Sequence, residues 1–175
     1  MPNRAVLLIE TKRRHIVISI KIISVGTLKE DYLRSAAAEY AKRLGGYCKF
    51  SEVVLKESKV PDSPSDKEIE AALENEAKNI LAEISPRAFT VAMCVEGKQM
   101  SSEALAKKIS DVSMQASEIA FVIGSSHGLS DKVKKAADMR LSVSELTFPH
   151  QLLKVMLMES IYRSFNIIAG TRYHK

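Results

Sequence analysis

Short apolar runs alternate with helical segments along almost the whole chain, and this alternation restricts the fold more than any other feature. The run 89–95 is continuous rather than alternating, which is typical of a strand buried on both faces, and 16–25 is rich in Ile and Val, which indicates a central strand. Strands that alternate with helices predict an α/β fold with a mostly parallel sheet covered by helices. The predicted strands are 16–25, 50–55, 89–95, 118–123 and 139–143, and three predicted helices are 31–44, 130–137 and 152–168.

Two further helices are indicated by their N-terminal residues. Ser65 followed by Glu68 forms a capping-box pattern, which predicts a helix from there to about residue 84. Ser101 or Ser102 is placed to cap a helix that reaches residue 109. Every predicted helix except the last therefore falls between two predicted strands, in agreement with the α/β interpretation.

Size and composition exclude several classes of protein. A chain of 175 residues with 46% hydrophobic and 27% charged residues is typical of one globular domain, not of a disordered tail or a membrane bundle. Cys48 and Cys94 are too few for a disulfide scaffold or a four-cysteine zinc site. No apolar run is long enough to span a bilayer and no signal peptide is evident. We therefore expect a cytoplasmic protein with two free thiols.

The positive charge is concentrated at the N-terminus. The formal net charge is +5, and Arg4, Lys12, Arg13 and Arg14 against Glu10 give residues 1–19 a net +3. The remaining +2 does not make residues 20–175 a polycation, so RNA binding would need a local basic patch, doubled by dimerisation. A solvated surface with a slight excess of lysine is the alternative. We predict a basic extension over 1–19 and a single domain over 20–175.

Several common catalytic motifs are absent from the sequence. It contains no P-loop, no Gly-x-Gly-x-x-Gly after a strand and no Gly-x-Ser-x-Gly elbow. It also lacks His-Glu-x-x-His and paired Cys-x-x-Cys patterns, so we expect no metal site. The chemistry must therefore reside in less common loops.

Three loops follow three predicted strands and are the candidates for a binding site. They are 95–98, 124–128 and 144–150, and the first two contain Gly97, Gly124 and Gly128. Ligands of open α/β sheets bind at the carboxyl ends of the strands, where these loops would meet. Glycine allows a close approach of the backbone to a ligand. The alternative is that these glycines only form tight turns.

The last helix and the tail after it are unusual. The 152–168 segment is apolar nearly all round, so it is buried either inside the core or against a second subunit. The tail carries Arg172, Tyr173, His174 and Lys175, which suit phosphate contact, base stacking and proton transfer. A solvated terminus is the alternative for the tail.

Taken together, residues 20–175 resemble the RlmH-type methyltransferases, a SPOUT-class family that methylates N3 of a pseudouridine in 23S (large-subunit) ribosomal RNA. The resemblance spans about 156 residues in order and at family spacing. The matching stretches are 20–26, 39–44, 96–98, 121–124, 141–142, 147–151, 159–163 and 173–175.

The resemblance implies a fold, a cofactor and a site. The fold would be a SPOUT-type mostly parallel sheet flanked by helices, with a deep C-terminal trefoil knot, and the protein would be a homodimer acting on the assembled ribosome without a metal. S-Adenosylmethionine would be held by Met93, Gly97, Gly124, Ser125, Gly128, Ser144, Glu145, Leu146, Thr147, Phe148 and Pro149. The catalytic residues would be Arg172, Tyr173 and His174, with Arg172 and Lys175 on phosphates, Tyr173 stacked on a base and His174 or, second, His150 handling the proton.

One position departs from the family pattern. The second glycine of the family's Ile-Gly-Gly loop is Ser125 here. Serine keeps the backbone contacts of that loop if φ at Ser125 is negative. Two other functions stay open: a SPOUT methyltransferase acting on tRNA, and a non-catalytic module that only binds RNA or the ribosome.

Overall fold

The computed structural model describes residues 18–173, and these form five strands and five helices in strict alternation. The predicted N-terminal extension lies outside the described residues, except for its last two positions. The elements are β1 Ser19–Val25, α1 Asp31–Leu44, β2 Lys49–Leu55, α2 Asp66–Glu83, β3 Ala88–Gln99, α3 Ser102–Ser113, β4 Glu118–Ile123, α4 Asp131–Ala136, β5 Met139–Ser142 and α5 His150–Ala169.

All pairings in the sheet are parallel, which confirms the predicted α/β fold. The strand order is β2-β1-β4-β3-β5, so β4 lies at the centre. Five of the six residues of β4 are buried, as expected for a strand covered on both faces. The carboxyl ends of β3, β4 and β5 are therefore neighbours at one edge of the sheet.

The helices form a layer on each face of the sheet. One core cluster includes Leu44 of α1, Ile109 of α3 and Leu157 of α5, packed on Ile22 and Phe121. The second core cluster, on the opposite face, includes residues of α2 and α4. Within the first layer α5 packs against both α1 and α3.

Helix α2 begins as the sequence predicts. The Ser65 hydroxyl accepts a hydrogen bond from the Glu68 backbone N–H at 3.4 Å, and the Glu68 carboxylate accepts one from the Ser65 N–H at 2.8 Å. This reciprocal pair confirms the capping box. At α3 the cap is Ser101, whose side chain accepts from the Ala104 N–H.

Three predicted boundaries are wrong. Residues 95–98 are not a loop after β3, since the strand continues to Gln99 with an irregular stretch between Met93 and Lys98. Helix α3 extends to Ser113 rather than residue 109, and α5 begins at His150 rather than residue 152. The exposed residues at the end of β3 explain the first error, because they carry no hydrophobic signal.

Helix α5 is largely core in this chain. Leu157, Met158 and Ile161 are fully buried, whereas Met156 and Tyr162 stay half-buried. The side of the helix that faces the sheet thus buries only some of its apolar residues, and burial of the others against a second subunit stays a prediction. No described helix is long and apolar enough to cross a membrane.

Candidate functional site

The three candidate segments surround one cavity at the carboxyl ends of β3, β4 and β5. Its volume is about 790 Å³, within the range of small-molecule sites. The sequence prediction that these segments meet at one edge is thereby confirmed. The cavity is lined by residues 93–96, 123–129, 141–144 and 146–150, together with Lys134 and Leu153.

Two predicted cofactor residues do not line the cavity. Gly97 lies beside β5, and a Cβ there would come within 2.5 Å of the Leu141 carbonyl carbon. Gly97 therefore lets β3 approach β5 closely, a packing role behind the cavity wall. Glu145 is exposed and also lies outside the lining residues. The other nine predicted cofactor residues do line the cavity.

The 124–128 segment closes into a tight turn. The Gly128 N–H donates to the Ser125 carbonyl oxygen at 2.9 Å, and a Cβ on Gly124 would lie 2.0 Å from the Gly128 carbonyl oxygen. Gly128 has φ +86°, a conformation that favours glycine. The turn thus requires glycine at both ends.

Serine is compatible with the position between these glycines. Among the described residues only glycines have positive φ, so Ser125 does not need the conformational freedom of glycine. Ser125 is also buried, with 4% of its surface exposed. The condition stated for this departure from the family pattern is met.

Glu57 holds the turn from outside the cavity. Its Oε1 accepts from the Ser126 N–H at 3.2 Å and from the Ser126 hydroxyl at 2.8 Å. Partial burial raises the pKa of Glu57, but the hydrogen bonds from Ser126 and the nearby His150 and Lys29 outweigh burial and lower the pKa. Glu57 therefore stays ionised and ties the loop after β2 to the turn.

A charged pair forms part of the cavity wall. Glu96 Oε1 lies 2.6 Å from Lys134 Nζ and joins β3 to α4. The hydrogen bond between them lowers the pKa of Glu96 and raises the pKa of Lys134. Both groups are therefore charged over the whole neutral range. Beside them lies the Cys94 thiol, whose pKa is raised by burial and by the charge of Glu96.

The two cysteines should differ in reactivity. Burial raises the pKa of Cys48 to about 12, and the residue is buried, whereas Cys94 lines the cavity with a smaller rise in pKa. Since the thiolate reacts, we expect Cys94 alone to be alkylated in the folded protein, slowly at pH 7 and faster as the pH rises. Mass spectrometry of iodoacetamide-treated protein measures both rates. Equal labelling of the two thiols, in protein shown to be folded, would contradict this expectation.

The described part of the tail packs on α5. The Tyr173 ring lies 4.9 Å from the ring of Tyr162 and 5.0 Å from the Arg163 guanidinium, and the Tyr173 hydroxyl donates to Glu159 at 3.3 Å. Burial, followed by Tyr40 and Glu159, raises the pKa of Tyr173. Arg172 is exposed, and His174 and Lys175 lie outside the described residues. Neither Arg172 nor Tyr173 lines the cavity of its own chain.

Comparison with known proteins identifies the family of this chain. A family model described as "Predicted SPOUT methyltransferase" matches residues 18–174. The chain belongs to the SPOUT methyltransferase family. The cavity of this SPOUT methyltransferase lies between the second half of β3 and the segments that follow β4 and β5.

Relatives of this SPOUT methyltransferase match it nearly end to end. Ribosomal RNA large subunit methyltransferase H of Streptococcus thermophilus (strain ATCC BAA-491 / LMD-9) is 46% identical over 89% of this chain and 99% of its own length. Proteins of the same name from Ligilactobacillus salivarius and Clostridium beijerinckii are each 48% identical over 90% of this chain and 99% of their own length.

Sequence reasoning missed two charged residues of this SPOUT methyltransferase site. Lys134 follows the glycine turn by six positions, but nothing in its spacing shows that it reaches Glu96 on another element. Glu57 lies in a polar loop that carries no periodic signal. Among the described residues no cluster of ligands suits a metal ion.

Proposed function

We propose that this SPOUT methyltransferase transfers a methyl group from S-adenosylmethionine to N3 of a pseudouridine in large-subunit ribosomal RNA, on the assembled ribosome. The observation that carries the proposal is the match over 99% of the length of relatives named ribosomal RNA large subunit methyltransferase H. A match of this extent includes every segment of the cavity. We further propose that the protein works in the cytoplasm.

The cavity fits S-adenosylmethionine by size and by chemistry. Its floor is apolar, with Met93, Leu129 and Leu141, and would take up an adenosine ring system. Its rim offers backbone groups of the 124–128 turn and of 144–149, which would bind the polar edges of the adenosine. When bound, the cofactor supplies a methyl group activated by a sulfonium centre. The residues proposed to hold it are Met93, Gly124, Ser125, Gly128, Ser144, Leu146, Thr147, Phe148 and Pro149, with Gly97 shaping the wall and Glu145 at its outer edge.

The target nitrogen carries a weakly acidic proton, so the protein must accept it. We assign proton acceptance to His174, because a neutral imidazole accepts a proton near physiological pH. Tyr173 would stack on a base, and Arg172 with Lys175 would hold phosphates. His150, which lines the cavity, is the second candidate for the proton. The protein otherwise accelerates transfer by aligning donor and acceptor.

We also propose that the protein is a homodimer in which the tail of one protomer serves the cavity of the other. In one chain Tyr173 contacts α5 at Glu159 and Tyr162, six and nine residues beyond Leu153 in the cavity wall. At 1.5 Å per residue these positions are roughly 9–14 Å along the helix from the cavity. The described part of the tail therefore packs on α5 outside the cavity lining of its own chain. A tail that reaches the cavity from a second copy is compatible with this arrangement.

The C-terminal half is proposed to form the deep trefoil knot of the SPOUT class. The pairing of β3 with β5 is irregular, since Met93 and Lys98 both align with Leu141 and the residues between them bulge out of the ladder. Such a local break in the pairing with a later strand is compatible with threading, although knots are rare in proteins.

The first experiment is transfer of labelled methyl from S-adenosylmethionine to intact ribosomes, isolated large subunits and bulk tRNA from cells lacking the modification. We expect label in ribosomes that maps to N3 of a pseudouridine. Label in tRNA alone would show that the substrate is tRNA and not ribosomal RNA. The absence of label together with no cofactor binding would favour the non-catalytic module.

His174→Ala distinguishes the two proton acceptors. If His174 accepts the proton, we expect methyl transfer to slow by about 100-fold or more with unchanged cofactor affinity, in the range usual for general bases. Single-turnover transfer of labelled methyl to ribosomes measures the rate, and titration calorimetry on the same variant checks that the cofactor still binds. Full activity of His174→Ala would exclude this assignment and transfer it to His150.

A further inference from the structure

The Glu96–Lys134 pair is set apart from the other ion pairs of the described structure by its position. Of the cavity-lining residues that the structure describes, only these two carry a permanent charge. Their atoms are 2.6 Å apart, and the side chains keep 46% and 19% of their surface exposed. The pair therefore forms part of the cavity wall and remains accessible to water.

The surroundings of the pair keep both charges in place. Asp131 lies 3.7 Å from Lys134 Nζ on the exposed side, and Arg140 acts electrostatically on Glu96. The local arrangement thus alternates acid and base without a large excess of either sign. A ligand with one negative and one positive group can place each of them beside a side chain of opposite charge. A ligand with a single charge can pair with only one of the two side chains.

The remainder of the cavity has a different chemistry. Met93, Leu129 and Leu141 make its interior apolar, and the serines of the turns add neutral polar groups. A ligand that matches the whole cavity is therefore apolar and aromatic at one end and zwitterionic at the other. An α-amino acid attached to a nucleoside has this composition.

We propose that Glu96 and Lys134 recognise the amino-acid end of S-adenosylmethionine, with Glu96 accepting from the α-ammonium and Lys134 donating to the α-carboxylate. The inference rests on the proposed function and deepens it, because it assigns specificity to two side chains outside the glycine turn. Charge-assisted hydrogen bonds of this kind are the stronger ones in proteins. The ordinary alternative is that the pair only fastens β3 to α4.

Charge reversal separates recognition from fastening. The double variant E96K/K134E keeps opposite charges on β3 and α4 but exchanges their positions relative to the ligand and to the neighbouring Asp131 and Arg140, so thermal denaturation first shows that the variant is folded. Titration calorimetry compares S-adenosylhomocysteine with 5′-methylthioadenosine, two neutral thioethers that differ in the presence of the amino-acid end. We expect the affinity for S-adenosylhomocysteine to fall at least about tenfold and that for 5′-methylthioadenosine to change less than about twofold.

Two further variants complete the design. The matched control is the same charge reversal in the exposed pair Lys107–Asp111 on α3, which does not line the cavity. It should leave the affinities for both ligands unchanged. If E96K/K134E does not fold, Glu96→Gln tests the same point, since it keeps the size of the side chain and loses its charge. It should weaken S-adenosylhomocysteine binding alone.

The outcomes are distinct. Unchanged affinity for S-adenosylhomocysteine in a folded charge-reversed protein would show that the pair only fastens the two elements. Equal losses for both ligands would place the pair at the nucleoside end and overturn the inference, while leaving the proposed cofactor intact. If the wild-type protein bound neither ligand, the proposed function itself would fail and the inference with it.

Discussion

Gly124→Ala is expected to weaken binding of the proposed cofactor strongly and to lower the melting temperature. The added Cβ would lie 2.0 Å from the Gly128 carbonyl oxygen and 2.4 Å from its carbon. Both are backbone atoms, so relief requires the turn to open rather than a side chain to rotate. Overpacking of this severity costs about 3 kcal/mol or more, which corresponds to a fall of about 6–12 °C for a domain of this size.

The opening of the turn also removes the cavity wall. Gly124, Ser125 and Gly128 all line the cavity, and the Gly128 N–H would lose its partner at Ser125. We therefore expect the affinity for S-adenosylmethionine to fall at least about 100-fold. Calorimetric titration and thermal denaturation measure the two effects on one sample.

Gly46→Ala is the matched control for this substitution. A Cβ on Gly46 would lie 3.4 Å from the Arg43 carbonyl oxygen, and the φ of Gly46 is not positive. The same chemical change should therefore alter stability by less than about 1 kcal/mol and leave binding intact. A Gly124→Ala protein with the affinity and melting temperature of the wild type would contradict the tight turn described for 124–128.

The α/β fold could be predicted from the sequence because its central strands are covered on both faces. Continuous apolar runs such as 119–123 favour a buried parallel strand when helices separate them. The strand order could not be predicted, since it depends on contacts between distant segments. The prediction of where β3 ends was wrong for a local reason. The last residues of β3 pair with β5 but are exposed, so they carry no hydrophobic pattern that would indicate a strand.

The site was predictable to the extent that it follows from topology. Once the strands are parallel, the segments after them meet at one edge, which is why nine proposed cofactor residues line a single cavity. Glu57 and Lys134 were missed because their partners are remote: the sequence separates Glu57 from Ser126 by 69 positions. Polar pairs between distant segments produce no periodic pattern in the sequence.

Lys154→Met is expected to produce the second large effect, this time on stability. Lys154 lies on α5 with 5% of its side chain exposed, and its Nζ is 2.8 Å from Glu52 on β2. Methionine has a similar volume, so the change removes the charge without a large cavity. The Glu52 carboxylate then has no cation beside it, which for a buried pair costs about 3–5 kcal/mol. Because 27% of the Glu52 side chain remains in contact with water, this cost is reduced. We expect the free energy of unfolding to fall by about 2–3 kcal/mol.

The double variant E52Q/K154M decides what the pair contributes. Removing both charges avoids the unpaired carboxylate, so most of the stability lost in Lys154→Met should return, and urea denaturation of the four proteins gives the coupling free energy. Ser24, whose hydroxyl is 3.5 Å from Lys154 Nζ, is left unchanged in every member of the cycle. If Lys154→Met alone is as stable as the wild type, water reaches Glu52 well enough to replace the lysine, and the pair then serves only to orient α5 against β2.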